Sequence, residues 1–134
     1  MEKTNVLFLL TPKAQVSCLK DNMNIRQALE KMKAHGHAAI PLITKEGEYI
    51  GTVSEGDLLN HIVDSGIIDI EQLEDVSIME LKRREDFSAV KVDADISELI
   101  EVIVDNNFVP VVDDRNVLMG IVTRKTVMQT LING

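Results

Sequence analysis

Tryptophan is absent from this 134-residue chain, and its remaining aromatic side chains are three Phe and one Tyr. A stacking platform for single-stranded nucleic acid needs several rings, so that function is poorly supplied, and the core must be aliphatic. The single cysteine, Cys18, has no partner in the chain; it excludes an intrachain disulfide, favours a reducing compartment and reads as a small, half-buried apolar residue. Basic charge is also short. Fourteen Lys and Arg stand against 22 Asp and Glu, a formal net charge of −8. This argues against a surface for nucleic acid or anionic lipid while leaving room for local cationic spots. Long apolar runs are missing too: the N-terminal run Val6–Leu10 is far below the ~20 residues of a membrane span, so a cytoplasmic location is expected.

Catalytic constellations are likewise missing. The histidines are His35, His37 and His61. His35 and His37 flank Gly36, where a helix C-cap is the plain explanation, and no further ligands are patterned to make "HGH" a metal site. Nothing near Cys18 suggests an activated thiolate. A binding module, with no catalytic residue and no metal, is therefore expected.

What is present is a duplication. "AIPLITKEGEYIGTVSEGDLLNHI" lies over "VPVVDDRNVLMGIVTRKTVMQTLI", with Pro41 over Pro110, Gly51 over Gly120 and Ser54 over Thr123, each pair 69 residues apart. Upstream, "IRQALEKM" from Ile25 pairs with "ISELIEVI" from Ile96 at a spacing of 71. The first copy thus carries two extra residues, expected in "HGHA" between helix and strand. A register kept across a strand, a turn and a helix marks an internal repeat.

Each copy reads as β-α-β-β-α. Short strands are expected at 14–19 and 88–92, followed by helices whose starts carry Asn24 with Gln27 and Asp95 with Glu98, both of capping-box form. Ile25, Ala28, Leu29 and Met32, then Ile96, Leu99, Ile100 and Ile103, give each helix one apolar stripe. A strand through Ile40–Ile43 or Val109–Val112, a polar turn and a second strand ending at Val53 or Val122 form a hairpin. Pro41 and Pro110, lacking a ladder donor, are expected at strand edges or starts. Helices follow over about Glu55–Ser65 and Arg124–Ile132, and the segment between the copies, too apolar for a tether, reads as a packed connector with short helical pieces. The expected fold is α+β: duplicated repeats packed sheet to sheet with pseudo-twofold symmetry. Domain boundaries are placed at 1–66 (first repeat with its N-terminal segment), 67–80 (connector) and 81–134 (second repeat).

The repeated outline "GTVSEGD" and "GIVTRKT" is where chemistry is expected. Ser54 and Asp57 can cap the helix; they can also offer N–H donors to an anion and an acid to vicinal sugar hydroxyls. Gly51 and Gly120 would let a flat or bulky group approach the backbone. In the second copy the hydroxyl is Thr123, but the acid is replaced by Thr126, and Arg124 and Lys125 stand at the helix start, a setting that favours phosphate.

With "IPL" or "VPV" before the hairpin and G-x-x-[ST]-x-x-D after it, the chain resembles the cystathionine-beta-synthase (CBS) domain pair, or Bateman module, from about Thr11 to Leu131. The resemblance implies an adenine-nucleotide sensor that pairs into a homodimer. It carries a ribose-binding role to Asp57 and Ser54, an adenine-lining role to Ala39, Ile40 and Pro41, and a pocket-closing role to Lys13, Ala14 and Gln15. Thr126 departs from the pattern at the second nucleoside site. Small stand-alone members are similar to a Gram-positive group that senses cyclic di-AMP, with phosphates held by residues matching Lys13, Arg124 and Lys125. Cyclic di-AMP is therefore the expected ligand, with AMP, ADP or ATP as the alternative and a ligand-free structural dimer as the third reading. By the same resemblance the nucleotide releases a protein partner such as a stringent-response enzyme.

Overall fold

The computed structural model describes residues 5–36, 38–84 and 86–133, so His37 lies outside the described residues. The architecture is mixed α+β. In chain order the elements are β1 (Thr11–Pro12), β2 (Leu19–Lys20), α1 (Ile25–His35), β3 (Ala39–Ile43), β4 (Tyr49–Ser54), α2 (Glu55–Asp64), β5 (Val90–Lys91), α3 (Ile96–Ile103), β6 (Phe108–Val112), β7 (Leu118–Thr123) and α4 (Arg124–Asn133). They form two compact units, one from Ser17 to Asp86, the other combining the N-terminal segment up to Val16 with the chain from Phe87 onward.

In the Ser17–Asp86 unit the sheet order is β2-β3-β4, with β2 parallel and β4 antiparallel to β3. α1 begins in a full capping box: the Asn24 side chain accepts from Gln27 N at 2.8 Å, and Gln27 Oε1 accepts from Asn24 N at 2.9 Å. It ends at Gly36, whose φ of 66° is left-handed. Leu19, Ile25, Ala28, Ile40, Leu42, Val53 and Leu58 form an aliphatic core, completed from the connector by Leu73, Ile78 and Leu81. Each fully buried Leu or Ile contributes about 1.5–3 kcal/mol relative to exposure. The connector is held by polar bonds as well: Ile25 N donates to Val76 O and Ile78 N to Met23 O, both at 2.9 Å.

The other unit holds a four-stranded sheet, β1-β7-β6-β5, over a core of Val6, Leu9, Val90, Leu99, Ile103, Val109, Val111, Val122 and Val127. The local signatures repeat. Thr44 N donates to Glu48 O and Asp113 N to Val117 O across the two hairpin turns, and the positive-φ position is Gly47 in one and Asn116 in the other. Glycine, or an asparagine that tolerates the left-handed region, is what such a turn requires.

Four expectations are corrected. Residues 14–19 are not a strand: Lys13–Gln15 make a 3-10 turn, closed by Val16 N donating to Lys13 O at 3.0 Å, and only Leu19–Lys20 pair. The second copy's strand is similarly confined to Val90–Lys91. The two extra residues of the first copy do not sit in the loop; α1 has 11 residues against 8 in α3, so the helix absorbs them. Pro41 and Pro110 lie within the central strands β3 and β6 rather than at edges. They are tolerated because β2 reaches only Leu42 and Ile43, and β5 only Val111 and Val112, so no parallel partner asks a proline for an N–H.

The compact units cut across the sequence boundaries at 66 and 80. The connector's apolar side chains complete the first core, while Thr11 and Pro12 pair with Ile121 and Gly120 of β7.

Candidate functional site

The N-terminus of α2 is built by Ser54 and Asp57. Ser54 Oγ accepts from Asp57 N at 3.1 Å, and Asp57 Oδ2 accepts from Ser54 N at 2.9 Å, closing a reciprocal capping box. The other carboxylate oxygen, Oδ1, accepts from Arg84 N at 3.0 Å. Asp57 is only 2% exposed, so its ionised carboxylate is compensated by two backbone donors and by the positive end of α2. Ala39, half-buried, is the register partner of Ser54; Ile40 and Pro41 behind it are buried.

The same stretch that reaches Asp57 also reaches Gly51. Asp86 Oδ1 accepts from Thr52 N at 3.0 Å and from Arg83 Nε at 2.8 Å. A Cβ at Gly51 would run into the Asp86 carboxylate. The glycine does permit a close approach, and the approaching group is the chain's own.

The second copy repeats this plan with other chemistry. Thr123 Oγ1 accepts from Thr126 N at 3.2 Å and donates to Thr126 Oγ1 at 2.8 Å; a hydroxyl pair replaces the hydroxyl and acid. Arg124 lays its guanidinium on the C-terminus of α3, Nε donating to Ile103 O at 3.3 Å and Nη2 to Val104 O at 3.2 Å. A cation there satisfies orphan carbonyls and complements the helix dipole. Arg124 is thus partly a structural cap, with Nη1 unbonded among the described residues, while Lys125 is exposed. Thr123, Arg124, Lys125, Asn107 and Gln129 line a cavity of about 460 Å³. A Cβ at Gly120 would meet the Thr11 carbonyl, again a group of the same chain.

The expected site residues fall into two groups. Ala39, Ile40, Pro41, Ser54 and Asp57 belong to the Ser17–Asp86 unit. Lys13, Ala14 and Gln15 are placed not with them but in the unit of Thr123, Arg124 and Lys125, where the Lys13–Gln15 turn contacts β7. In the Ser17–Asp86 unit, Asp57 is bonded by Arg84 N and Thr52 N by Asp86, two residues that sequence reasoning missed. A signal existed: Arg84 follows Lys13 by 71 residues, the spacing that relates α1 to α3 and β2 to β5. Among the described residues no cluster of three or more His, Cys, Asp and Glu could hold a metal, and no helix is long and apolar enough to cross a membrane.

A family model described as the CBS domain matches the chain twice, over residues 10–64 and 78–133. An uncharacterised protein of Methanocaldococcus jannaschii is 30% identical over 122 residues, 90% of this chain and 42% of that one. Cyclic di-AMP receptor B of Bacillus subtilis is 26% identical over 108 residues, 81% of this chain and 73% of the receptor. Among solved structures, CbpB of Listeria monocytogenes in complex with c-di-AMP has a TM-score of 0.83 and 25% identity, over 95% of this chain and 94% of that one. The chain spans only about half the length of two archaeal relatives it matches, 49% and 42%.

Proposed function

The chain belongs to the CBS-domain family, with two copies of the domain, and from that premise we propose that it is a nucleotide-sensing regulator whose ligand is cyclic di-AMP. The observation that carries this reading is the gathering of Lys13 and the acid-free helix start Thr123–Lys125 in one unit, on neighbouring elements. A chain of net charge −8 has to supply cations locally if it is to hold two phosphodiesters. Lys13, Lys125 and the unbonded Nη1 of Arg124 are the donors offered, with the N-terminus of α4 beside them. Two relatives 25–26% identical to the chain, the Bacillus receptor and the Listeria protein, are cyclic di-AMP binders by description, which supports the same ligand.

The alternative ligand, AMP, ADP or ATP gripped at Ser54 and Asp57, asks more of the chain. Asp57 is buried and already accepts two backbone N–H groups, so a ribose would have to displace the Arg84 contact. Isothermal titration of the whole chain with cyclic di-AMP, AMP and ATP decides between them. Binding of cyclic di-AMP that is lost in Lys13→Ala and Lys125→Ala and kept in Asp57→Asn supports the reading; binding of AMP alone overturns it.

The module acts by binding, not by catalysis, and in the cytoplasm. Its self-association is supported by an apolar pair at equivalent places of the two copies: Leu59 and Val63 are 61% and 67% exposed on α2, and Met128 and Ile132 are 54% and 77% exposed on α4. A soluble monomer has little reason to keep such a stripe twice. The regulated partner, by resemblance a stringent-response enzyme, would offer basic complementarity to this acidic chain. Nucleotide binding releases it only through differential affinity for the two ligation states.

A further inference from the structure

At Asp86 and Phe87 the chain passes from one compact unit to the other, and these adjoining residues are fastened one to each. Phe87 packs on Phe108 of β6, with ring centroids 4.8 Å apart and planes inclined at 58°. Asp86 is fastened to β4: its Oδ1 accepts from Thr52 N at 3.0 Å and from Arg83 Nε at 2.8 Å, and its Oδ2 accepts from Arg83 Nη2 at 3.4 Å. Thr52 is 1% exposed, so its N–H requires an acceptor. In the second copy the equivalent residue, Ile121, is the register partner of Thr11 in β1. One copy covers this strand edge with backbone; the other covers it with a single carboxylate. Three features make that carboxylate releasable. The Asp86 side chain is 43% exposed, and an ion pair so open to water adds little. The contact belongs to a side chain, so turning Asp86 away leaves the β3–β4 register intact. The carboxylate also stands where a Cβ on Gly51 would be, so it fills a notch that the missing side chain leaves open.

We propose that Asp86 is a latch on the joint between the two units, opened by a hydrogen-bond acceptor that takes its place on Thr52 N in the Gly51 notch. One N–H and one notch hold either the carboxylate or the incoming group, so the two exclude each other. Opening frees the joint from β4, while Phe87 stays on Phe108. Upstream, Arg84 N remains bonded to Asp57 at 3.0 Å, which confines the slack to the joint. The coupling is reciprocal: whatever opens the latch raises the affinity for the occupant by the same factor. The latch rests only on the bonds just named. That its occupant is a nucleotide rests on the reading above, and the two are tested apart.

NMR of the ¹⁵N-labelled full chain provides the test, reading amide exchange at Thr52 and the backbone order parameter at position 86 in the parent, Asp86→Ala and Gly51→Ala. The methyl added by Gly51→Ala fills the notch and ejects the carboxylate without any ligand. Both variants are expected to speed Thr52 exchange about tenfold or more, to leave the other β3–β4 amides within about twofold, and to lower the order parameter from about 0.85 toward about 0.6. Asp86→Asn keeps an acceptor for Thr52 N and is expected to retain the protection. Unchanged Thr52 exchange in both Asp86→Ala and Gly51→Ala overturns the latch. AMP and cyclic di-AMP are then added separately to the parent, with saturation followed by calorimetry. A nucleotide that binds is expected to lower the order parameter at Asp86 with Thr52 still protected, and to bind Asp86→Ala about threefold or more tightly than the parent, because no carboxylate has to leave. Binding that leaves Asp86 rigid overturns the coupling to nucleotide. If neither nucleotide binds, the nucleotide reading fails and the variants alone decide the latch.

Discussion

Replacing Asp57 with alanine removes a carboxylate that the structure uses twice, and the cost follows from its bonds. Ser54 N at 2.9 Å and Arg84 N at 3.0 Å each lose a charged acceptor at a site where the side chain is 2% exposed. A hydrogen bond to a charged group contributes about 1.5–3 kcal/mol, and a buried donor left without an acceptor forfeits that contribution in full. Two such donors give about 3–6 kcal/mol; water reaching the exposed Arg84 side of the site brings the expected loss to about 3–4 kcal/mol. In a chain of this size a loss of that order lowers the melting midpoint by about 10 °C. Asp57→Asn keeps one carbonyl acceptor and is expected to lose about half as much, whereas Arg84→Ala, which leaves the backbone N–H in place, stays within about 0.5 kcal/mol. Differential scanning calorimetry and urea titration of the three variants without nucleotide provide the measurement. An Asp57→Ala midpoint within about 3 °C of the parent would mean that the carboxylate contributes less than about 1 kcal/mol to folding, refuting the structural role and returning the residue to ligand binding alone.

The two glycines of the repeated outline should differ. Gly120→Ala presses a Cβ onto the Thr11 backbone carbonyl and is expected to cost about 2–3 kcal/mol with loss of the β1–β7 pairing, whereas Gly51→Ala meets the Asp86 side chain, which can swing away for about 1 kcal/mol; equal urea midpoints would refute this. Thr126→Asp restores the acid that closes a capping box with Thr123 and should stabilise the chain by about 0.5–1 kcal/mol, read as a raised melting midpoint. Leu73→Ala, in the connector, should cost about 2–5 kcal/mol because Leu73 is 1% exposed in the core; a loss below about 1 kcal/mol would mean that the connector is a tether after all.

The elements that were legible in the sequence are those whose cause is local. Capping residues announce α1 and α2 because a side-chain oxygen and an N–H three residues on are all that a helix start needs, and the Asn24 and Ser54 boxes form as expected. At α3 only half of the box forms, Asp95 accepting from Glu98 N, because the Glu98 side chain does not return the bond. Of the expected stripes, Ile25, Ala28 and Met32 of α1 and Leu99 and Ile103 of α3 are buried, and Leu29, Ile96 and Ile100 pack half-buried against the same cores, because periodicity is itself a statement about one face. The short strands were misjudged for the opposite reason. Whether Lys13–Gln15 extend or turn depends on a partner strand, and β3 offers one only from Leu42 onward.

The site was legible in its residue types and illegible in its grouping. The sequence by itself determined the duplication, the two helix starts with their unequal chemistry, and the lack of a second acid at Thr126, all consequences of residue identity and register. Only the tertiary structure decided that Thr11 and Pro12 join β7, that Lys13 belongs with Thr123–Lys125, and that Arg84 and Asp86 close over Asp57 and Gly51. The physical reason is that a repeat records what each copy is made of. Which unit a flanking segment completes depends on where backbone donors and acceptors are left open, and that is fixed only when the strands pair.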